Sequence, residues 1–377
     1  MADVLTILAA IDIGAGLGTK ISLATPEDFH TRSLADVVLT RQEYGTTSGQ
    51  YIDQLVSTLK KMMADCELDF SALSAIGVSI PGFAGDDQKI IACNNLPLLD
   101  GVNIVAPLSK ACDATVAIMN DGDCGALAQW KIDNQELFYW AFGGGWGGSW
   151  ISAAGNIRFP TINWDGQDRH IHLANEPGYV SRISKEKLES LFVEYDVSWR
   201  IFRENFSTEN SGALQDLHGP DNDSSSVRGE TCVSGNGLWR LYHARAKKPD
   251  LSRFSDARRS QLLDQANGAE CIFQLVREGD TAATSTVALF SRILGEVGVD
   301  ILKVAIDDGA PVNIPIYLGG GIAKSFELFA PEAQKVIQQA GMQSLLVPGH
   351  FVKSGLNANL IGAFCLAAKN TFMLENM

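Results

Sequence analysis

Val4-Leu-Thr-Ile-Leu-Ala-Ala-Ile-Asp-Ile-Gly-Ala-Gly-Leu-Gly-Thr-Lys20 is the stretch whose reading decides the fold. Residues 4–11 form an apolar run with the length and branched content of a buried strand. A carboxylate follows at Asp12, then glycines at 14, 16 and 18, and Thr19–Ala24 reads as a return strand. The unit is therefore strand, glycine turn, strand. Without a Cβ, such a turn lets the backbone close on an anion, which makes Gly14, Gly16 and Gly18, with Thr19 and Lys20, candidates for cradling phosphate. Asp12 supplies the hard oxygen that Mg2+ prefers, directly or through water. A single glycine turn of this kind also suits a purely structural hairpin.

Working outward, the same pattern restarts about 130 residues later. Leu137–Phe142 is an apolar strand, Gly143-Gly-Gly-Trp-Gly-Gly148 a second glycine turn, and Ser149–Ala153 its return strand. Gly143, Gly144, Gly145 and Gly147 are the matching phosphate candidates, and the repetition points to a duplicated architecture. A third glycine cluster, Gly319-Gly-Gly321, follows a strand over 312–318; it can pack against a nucleoside or serve as a plain strand–helix turn.

Between these clusters, spacing predicts strands at 31–42, Ala75–Ile80 and Thr115–Met119. Amphipathic helices are predicted over 48–65, 184–204 and 281–307, with an apolar helix near 357–369. Residues 207–229 are rich in Ser, Asn, Asp and Gly and read as a polar insertion. Asn120-Asp121 closes the strand at 115–119, and strand ends line binding crevices in open α/β sheets. Asp121 is the candidate general base, although Asn-Asp before a helix also makes an Asx turn or N-cap.

The chain has 377 residues, 46% hydrophobic and 20% charged, with net charge −14. That length suits two domains. The expected division is 1–121 with the C-terminal helix at about 357–377, and 122–356 carrying the insertion at 207–229. The acidic balance argues against nucleic-acid binding, which needs clustered Lys and Arg. No apolar run has membrane-spanning length, and no basic segment precedes the first strand. Seven scattered cysteines without a C-x-x-C pair suggest reduced thiols and a cytoplasmic protein. His170 and His172 stand near Glu176, but without a third ligand they read as a strand and not as a zinc site.

Taken in order, six segments resemble the ROK and bacterial glucokinase families of sugar kinases. They are Asp12–Lys20, Pro81-Gly82 with Asn95-Leu-Pro97, Asn120-Asp121, Gly143–Gly148, Glu230–Leu241 and Gly319–Phe326. The resemblance implies an α/β, two-lobed actin-like (ribonuclease H-like) ATPase fold with duplicated mixed-sheet domains. It implies ATP-dependent phosphorylation of a hexose or related sugar, with ATP and Mg2+ as cofactors and a homodimer among the expected assemblies. It assigns the sugar to Asn95, Asn120, Asp121, Glu176, Tyr179 and Glu230, the adenosine side to Gly319, Gly320 and Gly321, and proton abstraction to Asp121.

The chain departs from the family pattern at three places. The first glycine turn is about three residues longer, Gly144 stands where the family usually has threonine, and Tyr179 replaces histidine in Glu176-Pro-Gly-Tyr179. The cysteine-rich zinc motif of many ROK proteins is absent. These departures keep a second reading open, a degenerate kinase homologue that senses sugar or nucleotide. A transcription regulator is disfavoured, because the first strand leaves no room for an N-terminal helix-turn-helix. Glu176 and Glu230 also have simpler readings, as a solvated loop carboxylate and a charge complementing a helix N-terminus.

Overall fold

The computed structural model describes residues 5–14, 18–29, 31–85, 87–91, 93, 96–158, 176–207, 225–245, 247, 251–352 and 354–375. The chain divides into two compact units, Met1–Asp133 with Leu356–Met377, and Asn134–Gly355.

The first unit is built on a five-stranded sheet. Its strands are β1 (Ile7–Ile13), β2 (Thr19–Ala24), β3 (Ala35–Leu39), β4 (Leu73–Ile80) and, after a short hairpin of β5 (Phe83–Ala84) and β6 (Ile90–Ile91), β7 (Thr115–Asn120). The order is β3-β2-β1-β4-β7. β1 runs antiparallel to β2 and parallel to β4, and β4 runs parallel to β7. β1 is buried along its whole length, which is why its sequence shows no polar alternation.

Side chains alternate across the sheet, so β1 serves two cores. Ile7, Ala9, Ile11 and Ile13 join α1 (Ser48–Asp65) through Tyr51, Leu55, Leu59 and Met62, and α2 (Val105–Cys112) through Leu108. Leu8, Ala10 and Asp12 face the other way. That side is covered by α3 (Asp121–Asp133) and by the C-terminal helix, which packs on β1, β4 and α3. The packing is backbone-close: a Cβ on Gly77 of β4 would overlap the Ala363 carbonyl, and one on Gly362 would overlap the Cys124 carbonyl.

The second unit repeats the hairpin. β8 (Leu137–Phe142) pairs antiparallel with β9 (Trp146–Ile151). Next come α4 (Pro177–Val180), β10 (Arg182–Ser184), α5 (Lys185–Glu194), α6 (Trp199–Ser207), β11 (Ser226–Arg228), α7 (Gly229–Cys232) and α8 (Gly235–His243). Then follow α9 (Asp256–Leu263), α10 (Gln265–Arg277), α11 (Thr281–Asp307), β12 (Ile316–Gly320), α12 (Phe326–Gln339) and β13 (Leu346–Pro348). The sheet order is β13-β12-β8-β9, with β8, β12 and β13 parallel. In each unit, then, the strand before the glycine turn is flanked by its antiparallel return strand and by a parallel strand from later in sequence. The C-terminal helix α13 (Ala358–Glu375) returns to the first unit.

Three local expectations need correcting. The helix expected over 184–204 is two helices. Asp196 adopts a left-handed conformation with φ 57°, and the Val197 amide donates back to the Phe192 carbonyl at 2.8 Å, a closure that ends α5. Phe192, Trp199 and Phe202 then pack the two helices together. The second return strand begins at Trp146, not at Ser149. The end of the 207–229 segment is ordered structure: Ser226–Arg228 pairs antiparallel with Arg182–Ser184, while 208–224 lie outside the described residues. Among the described residues the cysteines are free thiols, and no helix is long and apolar enough to cross a membrane.

Candidate functional site

In the first unit, the residues with chemistry to offer sit at the carboxyl ends of three adjacent parallel strands. Asp12 lies near the end of β1, Pro81-Gly82 follows β4, and Asn120-Asp121 joins β7 to α3. This is where open α/β sheets place their ligands.

Asp12 is only 5% exposed, and its carboxylate is held by an organised set of donors. Ser79 Oγ donates to Oδ1 at 3.1 Å and Asn359 Nδ2 to the same oxygen at 3.2 Å. Asn357 Nδ2 donates to Oδ2 at 2.8 Å, and Lys20 Nζ stands 3.6 Å from Oδ2. Strand register explains two of these partners, since Asp12 pairs with Lys20 across β2 and with Ser79 across β4. Asn357 comes from the turn just before α13 and Asn359 from the first turn of that helix.

Asn120 is buried and acts as a clamp. Its Nδ2 donates to the Gly82 carbonyl at 2.9 Å, while its Oδ1 accepts from the Gly122 and Asp123 amides at 2.8 and 3.3 Å. It thereby caps α3 and ties the Pro81-Gly82 turn to the end of β7. Asp121, the first residue of α3, accepts from the Gly122 amide at 2.8 Å. Burial, followed by the nearby Asp12 charge, pushes its carboxyl up to about 7. Beside it, burial with the surrounding carboxylates holds the Cys124 thiol well above its ordinary range, so that thiol is no nucleophile.

The first glycine turn is described at its two ends. Gly18 has φ +113°, and a Cβ there would overlap the Leu39 carbonyl; one on Gly14 would come within 2.7 Å of the Gly18 carbonyl oxygen. The glycines are therefore required by the hairpin itself. Gly16 and Asn95 lie outside the described residues, as do His170 and His172. Thr19 is placed otherwise than expected for a phosphate ligand. Its side chain is fully buried, donating to the Tyr44 hydroxyl at 3.0 Å and lying 2.6 Å from that of Tyr51.

The second unit gathers another set at the carboxyl ends of β8 and β12. Gly143, Gly144 and Gly145 form an exposed turn, with the Gly143 amide donating to the Gly145 carbonyl at 3.0 Å. The turn docks on the start of α8, where the Gly235 amide donates to the Gly143 carbonyl at 2.8 Å. Ser234 caps that helix by accepting from the Gly237 amide at 2.9 Å. Glu230 lies against the turn: a Cβ on Gly145 would stand 2.9 Å from its Oε2, and one on Gly178 would stand 2.8 Å from its Cβ. The structure thus brings together the glycine turn, Glu230 and Pro177-Gly178, with Glu176 at the N-cap position of α4, while the Tyr179 side chain lies outside the described structure.

Several expected phosphate or nucleoside contacts fall instead inside strands. Gly147 pairs with Ala141 within β9. Gly319 is buried in β12, where a Cβ would overlap the Tyr139 hydroxyl, and Gly320, with φ +81°, pairs with Phe142. Gly321 follows the strand and is exposed, with open space where a side chain would stand.

Sequence reading missed Ser79, Asn357 and Asn359. The available signal for the last two was Gly355-Leu-Asn-Ala-Asn359 before an apolar helix, which reads as a capping turn and does perform that task. Asn357 Oδ1 accepts from the Asn359 and Leu360 amides at 2.9 and 3.4 Å.

The donor set suits Mg2+ in a limited way. Among the described residues no group of three or more His, Cys, Asp or Glu side chains could hold a metal. Mg2+ is commonly held by one or two carboxylates, retained waters and substrate phosphates, so Asp12 alone fits that pattern.

Residues 8–157 match the ROK family model and residues 204–368 the Glucokinase family model. An N-acetyl-D-glucosamine kinase of Mannheimia succiniciproducens is 28% identical over 170 residues, covering 44% of this chain and 52% of that protein. A kanosamine kinase of Amycolatopsis mediterranei is 37% identical over 81 residues, covering 21% and 27%. A ROK family glucokinase of Streptomyces griseus, solved with glucose and AMPPNP, superimposes with TM-score 0.62 at 16% identity, covering 96% of this chain and 99% of that one. The chain spans about half the length, or less, of these curated relatives. The fold is that of the ROK sugar kinases, an actin-like ATPase fold.

Proposed function

We propose that this chain, similar in sequence to the ROK and glucokinase families over successive segments, is an ATP-dependent kinase that phosphorylates a hydroxyl of a hexose or amino-hexose. The observation that carries the reading is Asp121: a carboxyl at the end of the parallel strands of a mixed sheet, pushed up to about 7, beside a second carboxylate fixed by its neighbours. A general base works best when its pKa lies near the operating pH.

In this reading the sugar hydroxyl oxygen attacks the γ-phosphorus, its proton passes to Asp121, and the bond to the departing ADP oxygen breaks. Phosphoryl transfer is mostly positioning and charge neutralisation. Lys20 and the backbone of the glycine turns would bind phosphates, while Glu230 and Glu176 would accept from sugar hydroxyls. Asn120 acts indirectly, holding the Pro81-Gly82 turn and the start of α3 in register. When bound, Mg2+ would neutralise phosphate charge and orient the triphosphate, with Asp12 holding it through water or through one oxygen. The names of the curated relatives put N-acetylhexosamines and amino-hexoses first among the sugars to try. A dimeric assembly and a cytoplasmic location are parts of the same proposal.

The test is ADP release, by a coupled assay, over a panel of hexoses, N-acetylhexosamines, amino-hexoses and cyclitols. Sugar-dependent release that disappears in Asp121→Asn is the expected result. Sugars that raise the melting temperature across the panel without any ADP release would overturn catalysis and favour a sensor.

A further inference from the structure

The turn into the C-terminal helix reaches back across the sheet to Asp12, over a separation of 345 residues for Asn357 and 347 for Asn359. Resting on the kinase reading above, we propose that Asn357 and Asn359 are positioning residues. They fix the orientation of the Asp12 carboxylate, so that it presents one defined side to the metal–nucleotide.

A carboxylate has about four acceptor sites, two on each oxygen. On Oδ1, Ser79 and Asn359 take both. On Oδ2, Asn357 takes one, and what remains faces Lys20 Nζ at 3.6 Å, longer than a hydrogen bond. Three directional donors from β4 and the start of α13 therefore leave Asp12 one acceptor site, on Oδ2 and on the side of Lys20 in β2. A metal-bound water or the ion itself can meet the carboxylate only there. Without the asparagines Asp12 loses a donor on each oxygen, and the group can turn about its terminal bond, a torsion that is broad and two-fold.

The asparagines are placed by the backbone. Asn357 Oδ1 caps α13 while its Nδ2 donates to Asp12, so one amide uses its acceptor for the helix and its donor for the carboxylate. Helix α13 is itself seated by glycine-permitted contacts, Gly77 against Ala363 and Gly362 against Cys124. The position of the clamp is thus set by the packing of a whole helix.

The two tasks of Asn357 can be separated. Asn357→Ser keeps a capping oxygen but is too short to reach Asp12, whereas Asn359→Ala removes the Oδ1 donor and leaves the cap. The experiment measures Mn2+ binding in the presence of a non-hydrolysable ATP analogue by electron paramagnetic resonance. It is run beside sugar binding by calorimetry and thermal melting, on the full chain and both variants. A donor to a charged group contributes enough that its loss should weaken Mn2+–nucleotide binding about tenfold for each variant. Sugar affinity should stay within about twofold of the parent, and the melting temperature should fall by only about 3–6 °C. Parent-like Mn2+–nucleotide affinity in both variants overturns the clamp while leaving the kinase reading standing. So does a loss of Mn2+, sugar and thermal stability together, which is the signature of a structural role alone. A parent protein that binds no Mn2+–nucleotide overturns the kinase reading and the clamp with it.

Discussion

Replacing Asp121 by asparagine should make the protein more stable and inactive at the same time, and the gain in stability should depend on pH. The Asp121 carboxyl is raised from an ordinary 3.8 to about 7, first by burial and then by the neighbouring Asp12 charge. A raised acid means that the native state holds a proton the unfolded chain would release. Its contribution is fully present below about pH 4 and is lost as pH climbs through about 7, so above that pH the ionised carboxylate burdens the fold. At 1.36 kcal/mol per unit, the ceiling on that burden is about 4 kcal/mol. Asp121 is mostly buried but keeps part of its surface in solvent, and screening there brings the expected figure to about 1–2 kcal/mol. Asparagine keeps the size of the side chain and its oxygen for the Gly122 amide but carries no charge. In a folding unit of this size the gain corresponds to a rise of roughly 3–8 °C. The assay is thermal melting of parent and Asp121→Asn from pH 4 to pH 8, without ligands. The difference should be near zero at the acid end and largest above pH 7. A constant difference, or one that shrinks toward alkaline pH, would refute the assignment of a buried, raised carboxyl. The parent's turnover should rise with pH through the same region. Its midpoint should lie at or below 7, because a cation bound near Asp12 offsets part of the charge that raises Asp121.

Lys20→Met should raise the KM for ATP about tenfold and leave sugar affinity unchanged, because the ammonium stands 3.6 Å from the Asp12 carboxylate near the end of β1; steady-state kinetics with each substrate varied would check it. Gly77→Ala should destabilise the first unit by roughly 3 kcal/mol or more, since its Cβ would overlap backbone of the C-terminal helix that cannot yield as a side chain would. Chemical denaturation reads that loss, and a change below about 1 kcal/mol would show that α13 is seated less tightly than its contacts with β4 indicate.

The parts of the site that were legible in the sequence are those whose chemistry and geometry are both local. Asp12 and the first glycine turn could be read because a strand, a carboxylate and closely spaced glycines, one of them in a backbone conformation that side chains rarely adopt, follow one another directly. The same holds for Asn120-Asp121, where a strand gives way to a helix. Even here the sequence points to residues more easily than to the partners their side chains take. Asn120 is consumed by the cap and by Gly82, and the Thr19 hydroxyl is taken by two tyrosines from the α1 region, partners that strand–turn–strand patterning cannot reveal. The break at Asp196 was hidden for a related reason: apolar spacing continues across it, and only an aspartate in the left-handed region shows that the helix has closed. Asn357 and Asn359 mark the limit of the method. Their pattern announces a helix cap, which is true, but a cap uses only the oxygen of the amide. Where the nitrogen points is decided by which strand lies under the helix, and that depends on two glycines, Gly77 and Gly362, that let distant backbones meet. A functional contact of this kind is written in the packing of a helix against a sheet, and becomes readable only once both are in place.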